Sequence, residues 1–159
     1  MFENIAYSGT REEQYQTALS QLQSLITDEP DRVANLANAS ALLKQCLNDT
    51  NWAGFYLYDG KELVLGPFQG LPACIRIPLG KGVCGTSASE RRTLRIADVH
   101  EFPGHIACDA ASNSEIVVPL VKGDTLIGVL DIDSPLKERF DAQDQAFLEQ
   151  FAEILVKAL

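Results

Sequence analysis

The sequence is poor in positive charge. Thirteen lysines and arginines stand against twenty-two aspartates and glutamates, a formal net charge of −9 over 159 residues. No basic stripe offers itself to phosphates, so nucleic acid is not the expected partner. Long apolar runs are missing too: no stretch approaches the ~20 residues that a membrane span needs. The segment from Met1 to Arg11 has neither a basic n-region nor an apolar h-region, so it does not read as a signal peptide. A cytoplasmic protein without a membrane contact is the expectation. In such a reducing compartment the four cysteines, Cys46, Cys74, Cys84 and Cys108, are not expected to form a permanent scaffold, and thiol chemistry becomes the question.

Hydrophobic residues make up 46% and charged residues 22% of the chain, close to globular averages, which argues against disorder. No repeat, low-complexity tract or linker interrupts it. One domain over 1–159 is expected. Tyr15, Leu19, Leu22 and Ile26 recur at helical spacing within Arg11 to Asp28. Pro30 ends that helix and Asp31 can cap a second one, whose stripe is Val33, Leu36, Ala37, Leu43 and Leu47, interrupted by Ser40. Trp52 to Tyr58 reads as a strand closing on the hairpin signal Asp59-Gly60, with Glu62 to Leu65 returning. Ala73 to Leu79 alternates as an edge strand, and Pro78 fits an edge or a strand end. A glycine-rich turn, Gly80 to Gly85, leads into a short helix ending near Arg91, and Leu94 to Val99 suits another strand. His100 to Asn113 lacks periodicity, and irregular segments of that length are often binding loops or lids. Ser114 to Val121 and Thr125 to Asp133 form two further strands, and Asp141 to Leu159 a last helix. This order predicts an α+β domain on a largely antiparallel sheet.

The cysteines differ in setting. Cys46 falls among apolar helix positions and suits a small buried hydrophobe. Cys74 alternates away from Ala73, Ile75 and Ile77. Cys84 sits among glycines near a helix N-terminus, a position that lowers thiol pKa. Cys108 lies in the irregular loop, close to His105 and Asp109. Structural zinc sites favour close ligand pairs, whereas these gaps are ten and twenty-four residues, so no metal is expected. Two readings remain on spacing alone: a catalytic cysteine with resolving partners brought to it by the fold, or three cysteines without chemistry.

The carboxylates tip that balance. Period-two geometry puts Asp131 and Asp133 on one face, beside Ile127 and Val129, with Leu126, Leu130 and Ile132 facing the other way. If the connection is the three-residue loop Lys122 to Asp124, Val121 faces Thr125 and Glu115 falls opposite Asp131; a two-residue loop flips Glu115 away. Crowded acids cannot all ionise cheaply, so at least one holds a proton near neutrality, while an ionised neighbour can hold an ammonium. On the strand from Trp52 to Tyr58, Trp52, Gly54, Tyr56 and Tyr58 share one face, an aromatic stripe with polar handles suited to a half-wet site.

Taken together, Asn51-Trp52-Ala53-Gly54-Phe55-Tyr56, the Cys74, Cys84 and Cys108 spacing, Gly80-Lys81-Gly82-Val83-Cys84-Gly85, His105 to Asp109, Ser114 to Pro119 and Leu130 to Ser134 resemble the free methionine-(R)-sulfoxide reductases, which are GAF-domain enzymes. The resemblance covers essentially the whole chain; only Cys46 falls outside the pattern. It implies a GAF-like fold with the N- and C-terminal helices on one face of the sheet and a pocket on the other. It also implies an oxidoreductase in which Cys108 attacks the sulfoxide sulfur and becomes a sulfenic acid, with Cys74 closing a disulfide on it. Cys84 is then an auxiliary or second resolving thiol. Asp133 is assigned as proton donor, Glu115 as sharing the substrate oxygen and Asp131 as holding the ammonium. Trp52 walls the methyl-bearing end and Tyr56 adds a polar contact. No bound cofactor is implied; electrons come from thioredoxin, and so indirectly from NADPH. A homodimer paired through helices is expected by analogy. The rival classes are a GAF sensory module binding a cyclic nucleotide or other metabolite, and a thiol protein that consumes peroxide.

Overall fold

The computed structural model describes residues 6–106 and 108–159. Residues 1–5, part of the stretch read above for a leader, and Ala107 of the loop motif lie outside them. Helix α1 (Arg11–Ile26) starts where the Thr10 side chain accepts from the Glu13 amide, and α2 (Arg32–Cys46) where Asp31 accepts from Ala34. Helix α4 (Ala142–Val156) opens on a reciprocal capping box between Asp141 and Asp144. These three helices cover one face of the sheet, burying Leu22, Leu43 and Phe151 against Phe55, Ile116 and Ile132. Among the described residues, no helix is long and apolar enough to cross a membrane.

The sheet runs β3 (Arg76–Pro78), β2 (Glu62–Gln69), β1 (Trp52–Tyr58), β6 (Thr125–Ser134), β5 (Ser114–Lys122), β4 (Leu94–Ile96). Every neighbouring pair is antiparallel. The short helix α3 (Gly82–Glu90) lies on the face opposite the three long helices, over Tyr56, Ile77, Leu94 and Val117. The α+β arrangement on an antiparallel sheet expected from the sequence is thus present, with the three long helices on one face and α3 on the other.

Several local expectations are corrected. The buried stripe of α2 is Leu36, Ala39, Ser40, Leu43 and Cys46, while Val33 and Ala37 face water. Ser40 does not interrupt it, because its hydroxyl donates to the Ala37 carbonyl. Strand β2 does not stop at Leu65 but runs to Gln69. The register against β1 shifts between Gly54 and Tyr56, and that irregularity accommodates Gly66-Pro67. Strand β3 keeps only Arg76–Pro78, at the sheet edge. The preceding segment leaves the sheet because Trp52 Nε1 donates to the Leu71 carbonyl at 3.2 Å and the Tyr56 hydroxyl to the Cys74 carbonyl at 2.9 Å. The stretch Leu94 to Val99 divides into β4 and a 3₁₀ turn (Val99–Glu101) capped by Asp98.

The most instructive correction concerns Glu115. Lys122 pairs with Thr125, so the β5–β6 connection is the two-residue turn Gly123-Asp124. Taken alone, that turn would flip Glu115 off the acid face. A bulge undoes it: Leu120 pairs with Gly128 and Val121 with Leu126, leaving Ile127 unmatched. Glu115 therefore lies opposite Asp133 rather than Asp131, on the same face as both. The bulge also moves Ile127 to the helix side and Leu126 to the site side, the reverse of simple alternation.

Candidate active site

Strand β6 is flanked by β1 and β5, which fixes the acids from both sides. Asp131 lies between Gly54 and Val117, and Asp133 between Trp52 and Glu115. Gly54 must lack a side chain here: a Cβ would come within 2.2 Å of Phe68 Cβ and 2.7 Å of its Cα. Trp52 stacks between Phe68, at 5.0 Å, and Tyr56, at 5.9 Å, building one aromatic wall.

Cys84 arrives from α3. Gly82 takes a φ of +62°, and Gly85 approaches so closely that a Cβ would meet the Pro78 carbonyl at 2.4 Å. The helix thus seats directly on the sheet edge. There the Cys84 thiol donates toward Glu115 Oε1 at 3.9 Å. Cys84 Sγ, a Glu115 carboxyl oxygen and an Asp131 carboxyl oxygen lie within 4.8 Å of one another. These are chemically competent metal donors, but burial favours the protonated forms of Cys84 and Glu115, and a cation would have to displace those protons.

Cys108 enters from the long loop and is disulfide-bonded to Cys74, with Cα atoms 5.9 Å apart. Cys46 and Cys84 are free thiols. Cys108, Cys84, Glu115, Asp131, Asp133, Trp52 and Tyr56 line one cavity, and Cys74 joins it through its bond to Cys108. The residues given roles at the site are thus gathered at one place, whereas Cys46 ends α2 in the helix-side core with its thiol pushed up to about 12 by burial.

The electrostatics follow from the crowding. Burial, reinforced by the Asp131 and Asp133 charges, lifts Glu115 well above the usual carboxylate range. Asp133 is lifted likewise by burial and by Asp131. Asp131 is raised by burial but eased by hydrogen bonding with Glu115 and Cys84, so it is the acid of the three best placed to ionise. One of its oxygens, Oδ1, is buried without a hydrogen-bond partner. Cys84 corrects the expectation from its helix position: burial, then Asp131 and Glu115, push its thiol well above the usual range. Desolvation beside acids outweighs a short helix dipole. The Tyr56 hydroxyl, expected as a polar contact, is already donating to Cys74; its remaining capacity is as an acceptor.

Sequence reasoning gave no role to Asn51, Ser112 or His105. Asn51 Nδ2 donates to Asp109 Oδ2 and to Ser112 Oγ, both at 3.0 Å, while its backbone N–H donates to the Asp133 carbonyl at 3.0 Å. It thereby ties the Cys108 loop to the acid-bearing strand. The motif Asn51-Trp52 contained the residue, but only the fold shows what it reaches. His105 Nε2 lies 3.8 Å from Glu115 Oε2, and burial lowers the His105 pKa, so the pair faces the cavity largely uncharged. We expect Asn51→Ala to lower unfolding free energy by about 1–2 kcal/mol for its lost buried hydrogen bonds. It should also slow closure of the Cys74–Cys108 bond. Urea denaturation and timed alkylation of the reduced protein measure the two effects.

The GAF domain family model matches residues 12–159. A free methionine-R-sulfoxide reductase from Escherichia coli (strain K12) is 57% identical over 136 residues, covering 86% of this chain and 82% of that protein. The Neisseria meningitidis free methionine-R-sulfoxide reductase, solved in complex with its substrate, superposes with a TM-score of 0.94 at 45% identity, covering 99% and 95% of the two chains. The fRMsr of Staphylococcus aureus, also solved in complex with substrate, gives a TM-score of 0.88 at 54% identity, covering 98% and 99%.

Proposed function

Since the chain belongs to the GAF family and, within it, to the free methionine-R-sulfoxide reductases, we propose that it reduces free L-methionine (R)-S-oxide to methionine at the acid-lined cavity. It is an oxidoreductase on this reading. The observation that carries the reading is the meeting of a cysteine pair able to form a disulfide, Cys74–Cys108, with the buried acids Glu115, Asp131 and Asp133 around one cavity.

The chemistry proceeds in three balanced steps. Cys108, as thiolate, attacks the sulfoxide sulfur while Asp133 gives a proton to the departing oxygen and Glu115 donates a hydrogen bond to it. The oxygen passes to the Cys108 sulfur, methionine leaves, and Cys108 is a sulfenic acid. The Cys74 thiol then displaces water from that sulfenic acid, forming the disulfide. A thioredoxin-type dithiol reduces it by exchange, becoming a disulfide itself, with NADPH as the distant electron source. Ionised Asp131, with its unpartnered Oδ1, holds the substrate ammonium. The stacked Trp52 walls the methyl end, and Tyr56 keeps Cys74 in place through its carbonyl. Cys84, held as a neutral thiol, serves as an auxiliary donor to Glu115. A cytoplasmic, homodimeric protein of one domain completes the proposal.

A sensory module is the weaker reading, because buried acids repel the phosphate of a cyclic nucleotide. With dithiothreitol as reductant, free (R)-sulfoxide should turn over about a hundredfold or more faster than the (S) form or an oxidised methionine inside a peptide, whose backbone amide carries no ammonium. Equal rates on the peptide would contradict the role given to Asp131, and no turnover on any sulfoxide would contradict the function.

A further inference from the structure

Large apolar side chains left in water are few among the described residues: Val33, Leu71, Ile75, Ile106 and Leu136. Three of the five lie within three positions of the bonded cysteines, with Leu71 and Ile75 beside Cys74 and Ile106 beside Cys108. Leu71 and Ile75 are 62% and 68% exposed. Their exposure is built in by the sheet, not left over from a loose loop. Trp52 and Tyr56 hold the carbonyls of Leu71 and Cys74, which pins the backbone of this segment while Leu71 and Ile75 stay in water. Ile106 is seated against α3, where a Cβ on Gly82 would stand 3.1 Å from its Cδ1. Cys108 itself is exposed and Cys74 half-buried, so the disulfide reaches solvent on segments that also carry these exposed apolar side chains.

We propose that Leu71, Ile75 and Ile106 form a docking collar for a protein dithiol that reduces the Cys74–Cys108 bond. The inference rests on the proposed recycling step and names the surface it uses. Charge selects the class of partner. The chain carries a net charge of −9, which disfavours the approach of a small anionic thiol. Nearby Arg76 offers it no relief, being paired with Asp59 and Glu62. A protein that presents its attacking thiol within a flat apolar surface gains by covering the collar, a contribution that a small thiol cannot make. In the exchange, one partner thiolate attacks a sulfur of the bond and releases the other cysteine as a thiol. The second partner thiol then resolves the mixed disulfide, leaving the partner oxidised and both cysteines reduced.

The test reads disulfide reduction directly and needs no sulfoxide turnover. The oxidised protein is mixed with reduced thioredoxin or with dithiothreitol, and the second-order rate of thiol appearance is followed. For Leu71→Ser/Ile75→Ser the thioredoxin rate should fall about tenfold or more, while the dithiothreitol rate stays within about twofold. Val33→Ser, remote on α2, should match wild type with both. Equal thioredoxin rates for wild type and the double variant would overturn the collar. So would a halved sedimentation mass in the double variant with its thioredoxin rate intact, which would make the patch a contact between two copies. If both rates behave as expected but methionine sulfoxide fails to reoxidise the protein, the reductase reading fails and the collar stands.

Discussion

Cys108→Ser should reduce sulfoxide turnover by about 10⁴-fold or more, the largest loss of any single substitution in this chain. A serine hydroxyl is a poor nucleophile toward sulfur and cannot store the oxygen as a sulfenic acid. The acid cluster and aromatic wall are untouched by the change, so the variant should still bind free methionine sulfoxide, measurable by calorimetry. The other cysteines should separate cleanly from it. Cys74→Ser leaves the first chemical step intact and should release about one methionine per chain before stalling at a sulfenic acid, which dimedone would trap. Cys46→Ser, in the helix layer, should leave turnover near wild type.

Asp133→Asn should slow turnover by about 10²–10⁴-fold, the range that a positioned general acid supplies. The same change should make the protein more tolerant of alkali. Burial and Asp131 hold the Asp133 pKa well above its value in an unfolded chain. Between those two values the native protein keeps a proton that the unfolded chain has released, so native stability falls as pH rises. Asparagine has no proton to lose and can keep a hydrogen bond with Ser112. Wild type should therefore lose more melting temperature than the variant between pH 5 and pH 8. Activity should track the same proton: kcat falls as pH rises through the elevated acid pKa, and that alkaline limb should be reshaped in Asp133→Asn and in Glu115→Gln. If the melting temperatures of both proteins move in parallel, Asp133 is already ionised in the folded state and is no proton donor.

How much of this could be seen in the sequence depended on how local the cause was. Helices α1 and α4 announce themselves through apolar spacing, and the structure starts them on the Thr10 and Asp141 caps. The acid face of β6 follows from alternation as well. The partner of Glu115 does not, because two one-residue irregularities cancel: a turn shorter than expected and a bulge at Ile127. Each alone would have turned Glu115 away, and neither is marked by a distinctive residue. The Cys84 thiol was misjudged for a related reason. Its place in a short helix is visible in the sequence, but the burial and the two acids that outweigh the helix come from other strands. Asn51 shows the same limit. Its partners, Asp109 and Ser112, are about sixty residues away, and nothing in its neighbours indicates that it will hold the loop carrying Cys108.

A single-turnover experiment weighs the account as a whole. Fully reduced protein, freed of reductant, is mixed with excess free methionine (R)-S-oxide; methionine, remaining thiols and disulfide linkages are then quantified by mass spectrometry. One methionine per chain, two thiols lost and a Cys74–Cys108 linkage are the predicted result. Methionine formed with all four thiols intact, or thiols lost while Cys108 remains free, would contradict the claim that this sulfur and the neighbouring acids act on one substrate.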